Sequence, residues 1–476
     1  MTDTTASSVA RTVALPATSA TVPSPALLSP RTRLILEGPI VPTLLRLALP
    51  NVAVMVVQAA IGALESYYVS GLGTDALAGM ALVFPVLMTM QMMSAGAMGG
   101  GVSSAIARAL GGGKRLEAQA LVIHALWIAV AFGAAFTAIV IGGGPWLYGA
   151  LGGTGGALSA ALTYSSIVFL GSIPLWVFNT LSNVLRGTGN MVIPATATLG
   201  GAVIPIAVSP ALIYGWGPFP RLGMAGAGLA VVAYYGFGVL WLGSYLAFGR
   251  AAVSLAWRGV QLRRARFGEI LRVGLMSSAG SLITNLTIIA VTGLVGNFGT
   301  AALAGYGIGS RLEYMQIPII FGFGAALVAM VGTNIGARQF DRAHRIAWIG
   351  AAMAGAVTLT MGGSAALWPS AWAGLFTRDP AVLDAAIGYL RWVGPAYGFL
   401  GFGLALYFAS QGAGRMAWPL ASGVLRMIVA CAGSWVAVTW IGAGLHGIYA
   451  MLAVGMLTFG PLNALAIRAG SWRRGR

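Results

Sequence analysis

The chain has 476 residues, of which 58% are hydrophobic and 8% charged, with 27 Lys and Arg against 10 Asp and Glu. Ordinary soluble domains carry about 25% charged residues, so a water-facing exterior of this size is excluded and lipid must solvate much of it. The net charge of +17 would suggest nucleic acid in a soluble chain; here the basic residues sit in short connections, report topology instead, and no nucleic-acid partner is expected.

Residues 1–30 are rich in Ser, Thr, Ala and Pro and lack the compact apolar region of a secretory signal. They are read as part of a disordered cytoplasmic tail, 1–35. Twelve apolar spans follow, at 44–70, 76–100, 120–141, 160–181, 191–213 and 224–248, then 270–296, 302–331, 346–367, 385–409, 417–440 and 446–467. They are continuous and near the roughly 20 residues that a membrane-crossing helix needs, whereas barrel strands are shorter and alternate. Gly-rich breakers such as Gly142-Gly143-Gly144-Pro145 are expected to separate them.

Alternate connections collect 22 of the basic residues on one side: Arg11, Arg31, Arg33 and Arg46; Arg108, Lys114 and Arg115; Arg186; Arg250, Arg258, Arg263, Arg264, Arg266 and Arg272; Arg338, Arg342 and Arg345; Arg415; and Arg468, Arg473, Arg474 and Arg476. The other side holds Arg221 and Arg378, while Arg311, Arg391 and Arg426 fall inside spans. This bias places both termini in the cytoplasm of a multi-pass protein of the bacterial inner membrane.

An internal repeat is visible. Gly73-Thr74-Asp75-Ala76-Leu77-Ala78-Gly79 returns 226 residues later as Gly299-Thr300-Ala301-Ala302-Leu303-Ala304-Gly305. Gly187-Thr188-Gly189-Asn190-Met191-Val192-Ile193-Pro194 returns 225 residues later as Gly412-Ala413-Gly414-Arg415-Met416-Ala417-Trp418-Pro419. The register slips by one residue between them. Each repeat holds six spans, so both halves enter the membrane in the same sense and are related by an axis along its normal. The expected fold is all-α: an N-lobe at 36–249, a basic linker at 250–266, a C-lobe at 267–468 and a basic tail at 469–476. A cleft between two such lobes can open to either side by rocking.

Three stretches resemble the multidrug and toxic compound extrusion transporters. They are Leu36-Glu37-Gly38-Pro39-Ile40, Leu44-Leu45-Arg46-Leu47-Ala48-Leu49-Pro50, and Val69-Ser70-Gly71-Leu72-Gly73-Thr74-Asp75. Gly111-Gly112-Gly113, Arg186-Gly187-Thr188-Gly189, Tyr306-Gly307-Ile308-Gly309-Ser310-Arg311-Leu312-Glu313 and Gly332-Thr333-Asn334-Ile335-Gly336-Ala337 agree in order and spacing, so the likeness covers about residues 36–468. The resemblance implies exchange of inward Na⁺ or H⁺ for outward organic cations, drugs or metabolites. The family usually has Asp in its first helix where this chain has Glu65, and Ser281-Leu282-Ile283-Thr284-Asn285-Leu286 lacks the acid that one branch carries in helix seven. The chain is therefore more similar to the DinF-type branch.

Two acids lie well inside spans, Glu65 and Glu313. A charged group at membrane depth costs about 2.5–3.5 kcal/mol on insertion scales and marks either a functional site or a buried pair. Asn51, Gln58 and Glu65 recur every seven residues and stack on one helix face, a polar stripe expected to line the cleft. A carboxyl there can hold a proton while the site is dry and yield to a cationic substrate, the minimum that antiport requires. The alternative is an ion pair or hydrogen bond near the outer surface.

Glu313 has Gly309 and Gln316 on its face. It reads either as a second cation site or as a structural pair, with Arg311 or Arg391 as the nearest intramembrane bases. Asn285, Tyr306 and Arg311 are further candidates for the cleft lining. Met88, Met90, Met92, Met93 and Met98 crowd the second span, where flexible thioethers suit either packing or promiscuous apolar binding. Pro85, Pro174, Pro205, Pro318 and Pro395 are candidate kinks.

Cys431 is the single cysteine and is read as a packed core residue. His124, His344 and His446 are too scattered for a metal and read as interface residues. No phosphate-loop motif follows either glycine run, so no cofactor is expected beyond H⁺ or Na⁺ as coupling ion. No catalytic cluster at helical spacing suggests an enzyme. The expected partners are lipid and a small amphipathic, cationic substrate, handled by a monomer. The competing reading is a flippase or exporter of a lipid-linked or other specific metabolite.

Overall fold

A computed structural model describes residues 29–255 and 259–472. Arg11, Arg258, Arg473, Arg474 and Arg476, and most of the expected tail at 1–35, lie outside the described residues. All regular structure among the described residues is helical. A short entry helix, Pro30–Glu37, starts at an N-cap Ser29 whose side chain accepts from the Thr32 amide.

Ten helices are long and apolar enough to cross a membrane, and two bent pairs bring the number to twelve. In order they are span 1, Ile40–Ser70; span 2, Thr74–Gly111; span 3, Arg115–Ala150; span 4, Gly155–Leu170 with Ser172–Gly187; span 5, Val192–Tyr214; and span 6, Met224–Ala247. Span 7 is Arg264–Gly296; span 8, Thr300–Gly336; span 9, Phe340–Leu367; span 10, Pro380–Val393 with Tyr397–Gly412; span 11, Ala417–Thr439; and span 12, Gly444–Arg468. The bends in spans 4 and 10 are 49° and 55°.

The expected break at Gly142–Pro145 does not occur: span 3 continues through Pro145 to Ala150, and the chain turns at Gly152 and Gly155. These two glycines have φ of 90° and 53°, a conformation that costs other residues a Cβ clash. A proline inside a long helix removes one backbone bond without ending it when the surrounding lipid favours helix continuation.

The duplication is written into local geometry. Spans 5 and 11 both contain a single π-helical turn, Ile204–Val208 and Val429–Gly433, 225 residues apart. The breaks in spans 4 and 10, at Gly171 and at Gly394–Ala396, are likewise related. A third π segment, Met92–Met98, lies in span 2, whereas span 8 is α-helical throughout. A π-bulge absorbs one inserted residue, and this insertion accounts for the slip from 226 to 225 between the halves.

Two further expectations need correction. His124 is fully buried rather than interfacial: its Nδ1 lies 2.7 Å from the Ala120 carbonyl, and its Nε2 accepts from the Arg263 amide at 2.9 Å, pinning the linker to span 3. Cys431 is only half-buried, because its π turn carries it partly off the packed face.

The two six-helix bundles interlock. Leu44, Leu47 and Ala48 of span 1 belong to the apolar core of the second half, together with Ile35 of the entry helix. Reciprocally, Ile270 of span 7 belongs to the core of the first half. The lobes meet most tightly at the ends rich in arginine. A Cβ on Gly111 would intrude on the backbone of Thr333, and one on Gly336 on the backbone of Arg108. These four positions exchange under the 225-residue shift, so the contact is two-fold about an axis along the membrane normal.

Candidate functional site: one carboxylate in each lobe

The outer half of span 1 is fixed to span 5. The Tyr68 hydroxyl donates to the Ile206 carbonyl at 3.1 Å, within the π turn, and the Tyr214 hydroxyl donates to the Tyr68 carbonyl at 2.5 Å. One turn earlier, Glu65 points into the N-lobe. The residue is partly exposed. Its charge acts on the hydroxyls of Tyr164, Tyr234 and Tyr235, from spans 4 and 6. Among the described residues, no lysine or arginine pairs with it.

The expected stripe divides. Gln58 and Glu65 share the N-lobe interior, where Gln58 and Thr198 lie within reach of a Tyr234 hydroxyl that completes no hydrogen bond. Asn51, by contrast, is buried where span 1 crosses onto the C-lobe, and it donates to its own helix at Leu47 O, 2.9 Å.

A relay of amides extends inward from the tyrosines. Gln91 donates to the Tyr235 hydroxyl. The Asn179 amide nitrogen donates to Gln91 Oε1 at 3.1 Å and to Ser94 Oγ at 2.8 Å. Asn183 donates to the carbonyls of Ala95, at 3.1 Å, and Asn179, at 2.9 Å. Arg186 closes this end, with a buried Nε that has no partner and a charge that acts on Tyr234. These residues were not singled out from the sequence, although two amides four residues apart in an apolar span are the available signal.

The C-lobe repeats the motif with one difference. Glu313 acts on Tyr306, Tyr389 and Tyr397; the last two share a hydroxyl hydrogen bond of 2.9 Å, and Tyr306 meets Tyr389 edge-on at 5.5 Å. Tyr389 is the repeat equivalent of Tyr164. Here, however, an arginine is present. Arg426 of span 11 couples electrostatically to Glu313, donates to Thr284 Oγ1 at 3.1 Å, and stacks 5.2 Å from the Phe459 ring centre.

Arg311, one of the two bases expected near Glu313, lies apart. It is exposed and sits 5.0 Å over the Phe376 ring, in the connection before span 10. Gln316 is buried with an unpartnered Nε2. Asn285 is partly buried, donates to Ser281 O at 3.2 Å and faces Met92 Sδ across the lobe boundary at 4.0 Å. The first and eighth spans therefore bring different predicted residues to different lobes, and Glu65 and Glu313 do not share a site.

At the arginine-rich end the lobes are clasped. Arg108 Nη2 lies 3.0 Å from Glu269 Oε1, and Arg108 Nη1 donates to the Gly412 carbonyl at 3.3 Å. Gln411 Nε2 donates to Ser277 Oγ at 2.9 Å nearby.

The family model MatE matches this chain twice, over residues 50–211 and 277–436. The chain belongs to the MatE family. The two matched segments fall one in each half, so the family unit is the repeat itself. Among MatE relatives, a Shewanella oneidensis protein named "FAD transporter" is 27% identical over 380 residues, covering 79% of this chain and 82% of its own. A Thermotoga maritima protein named "Probable multidrug resistance protein NorM" is 24% identical over 441 residues, covering 90% and 93%. The crystal structure of MATE in the bent conformation matches with a TM-score of 0.87 at 24% identity, over 93% of this chain and 98% of that one. As a MatE member this chain is a multi-pass membrane transporter of small molecules, not an enzyme, and its fold is the family's twelve helices in two lobes.

Proposed function

We propose that this transporter is a cation-coupled antiporter that exports an amphipathic organic solute from the cytoplasm, with Glu65 as the coupling carboxylate. The observation that carries this reading is the contrast between the two lobes. Both hold a carboxylate among several tyrosines, but Arg426 is electrostatically coupled to Glu313, whereas among the described residues no basic side chain is coupled to Glu65. An uncompensated carboxylate at membrane depth needs a mobile cation, a proton or Na⁺, to occupy it. Tyrosine hydroxyls and Gln58 can then ligate that cation or substitute for it as it leaves. Glu313, Gln316 and Tyr306 form the less exchangeable C-lobe counterpart.

The basic residues favour both termini inside the bacterial inner membrane. With the arginine-rich face cytoplasmic, a seam closed there is the outward-facing half of an alternating cycle.

A second reading, export of a specific anionic metabolite, is favoured by Arg186, which is coupled to Tyr234 and has a buried Nε without a partner. The relative named "FAD transporter" points the same way.

The test is transport in proteoliposomes under imposed pH or Na⁺ gradients. Glu65→Gln is expected to lower gradient-driven flux at least tenfold, while leaving counterflow without a gradient measurable. Unchanged coupling in a folded Glu65→Gln protein would remove Glu65 from the mechanism. A substrate screen in which Arg186→Gln abolishes flux of dinucleotides, but not of cationic dyes, would favour the second reading.

A further inference from the structure

One cavity on the arginine-rich face lies apart from the Glu65 and Glu313 carboxylates. It has a volume of about 540 Å³ and lies where the entry helix crosses the ends of spans 2, 3, 4 and 6. Its lining includes three arginines, Arg31, Arg115 and Arg250, and three hydroxyl-bearing residues, Ser29, Thr32 and Thr188; among the described residues no carboxylate lines it.

The absence of acid in the lining is not for want of acids nearby. Glu37 is engaged by Arg33 at 3.5 Å and Glu117 by Lys114 at 3.4 Å. Those two pairs engage Arg33 and Lys114, and among the described residues the three lining arginines have no acidic partner within 4 Å. Arg115, which lines the cavity, is also held in place, its Nε donating to the Ala252 carbonyl at 2.9 Å. Several planar donor groups around an open space match the tetrahedral oxygens of a phosphate group.

Position decides which phosphate. The cavity sits at the ends of membrane-crossing helices, the depth of lipid headgroups. Leu116 and Phe248, next to Arg115 and near Arg250, are 82% and 76% exposed. Apolar side chains standing free beside arginines fit the boundary between headgroup and acyl chain, where anionic lipid is concentrated and basic pockets between helices capture its head.

We propose that this cavity binds the phosphate headgroup of an anionic membrane lipid through Arg31, Arg115 and Arg250. Occupancy has a mechanical consequence. The entry helix begins at this N-lobe cavity and ends against the C-lobe, where Arg342 Nε and Nη2 donate to the Ile35 carbonyl at 3.4 and 3.3 Å and Asn334 reaches the same oxygen at 3.4 Å. A lipid head bound at Arg31 fixes the N-lobe end of this strap and favours the closed arginine-rich seam.

The experiment is native mass spectrometry of the full-length protein released from nanodiscs containing phosphatidylglycerol and phosphatidylcholine, alongside thermal unfolding in detergent with added phosphatidylglycerol, phosphatidylcholine or inorganic phosphate. The wild type is expected to retain phosphatidylglycerol selectively and to be stabilised by it alone. R31Q/R115Q/R250Q should weaken that retention at least tenfold, and R250Q alone several-fold. A charge-matched control on the same face, R264Q/R266Q/R272Q, should retain the lipid as the wild type does. Equal loss in the control would overturn the proposal by showing that only net charge matters. Stabilisation by inorganic phosphate to the same degree as by phosphatidylglycerol would overturn the lipid assignment.

Discussion

Glu313 has a basic residue, Arg426, electrostatically coupled to it, whereas among the described residues Glu65 has none. Glu313 and Arg426 are both partly exposed and are coupled through space without a direct ion pair, and such partly solvated charges contribute about 1 kcal/mol or less. Arg426→Met is therefore expected to destabilise the protein by about 1 kcal/mol, and Glu313→Gln/Arg426→Met to recover part of the loss. Denaturation of the purified protein in detergent, as a double-mutant cycle, measures both. A double variant no more stable than Arg426→Met would show that the two residues are not coupled. Glu65→Gln belongs to the other class: with no basic partner to strand, it should cost little stability and act on transport. Glu65 and Glu313 were legible in the sequence because ionisable residues are rare in apolar spans. Arg426 was visible as an intramembrane base, but its partnership with Glu313 was not, since spans 8 and 11 approach only through the tertiary fold.

Among the elements, span 2 and span 8 matter most. Their inner halves touch through Gly111 and Gly336, and Gly332 faces Ala107. Any side chain at these glycines has to displace backbone, and overpacking of this kind costs about 1–3 kcal/mol. Gly111→Val and Gly336→Val should each move the lobes toward separation at this end, by an equilibrium shift of roughly tenfold for each 1.4 kcal/mol. Distances between spin labels on the inner ends of spans 2 and 8, introduced in a Cys431→Ser background, report the change. Distributions unchanged in both variants would mean that the seam does not control access.

Elements were read from the sequence with uneven success, and the failures are physical. The long apolar runs announced twelve crossings. Helix continuation through Pro145 was missed because lipid tolerates a proline that water-exposed helices do not. The π turns left one trace, the one-residue slip between repeats, whose structural meaning was invisible until span 2 and span 8 could be set side by side.

At the scale of the whole molecule, the clasp of Arg108, Glu269 and the Gly412 carbonyl ties the lobes together at the arginine-rich face. Glu269→Gln is expected to raise the labelling rate of a cysteine placed at Ala107, in a Cys431→Ser background, by several-fold. The charge exchange Arg108→Glu/Glu269→Arg should restore protection. Labelling unaffected by Glu269→Gln would assign closure to glycine packing alone.

The reciprocal contact between Gly111, Thr333, Gly336 and Arg108 is the interface of a two-fold dimer built within one chain. A true homodimer must change every position twice or not at all. Covalent fusion lifts that constraint, and the molecule has used the freedom at its most consequential sites: Val291 stands at the repeat position of Glu65, and Leu87 at that of Glu313. If Glu65 is the coupling carboxylate, fusion let one lobe specialise in exchange while the other lobe's acid kept Arg426 beside it.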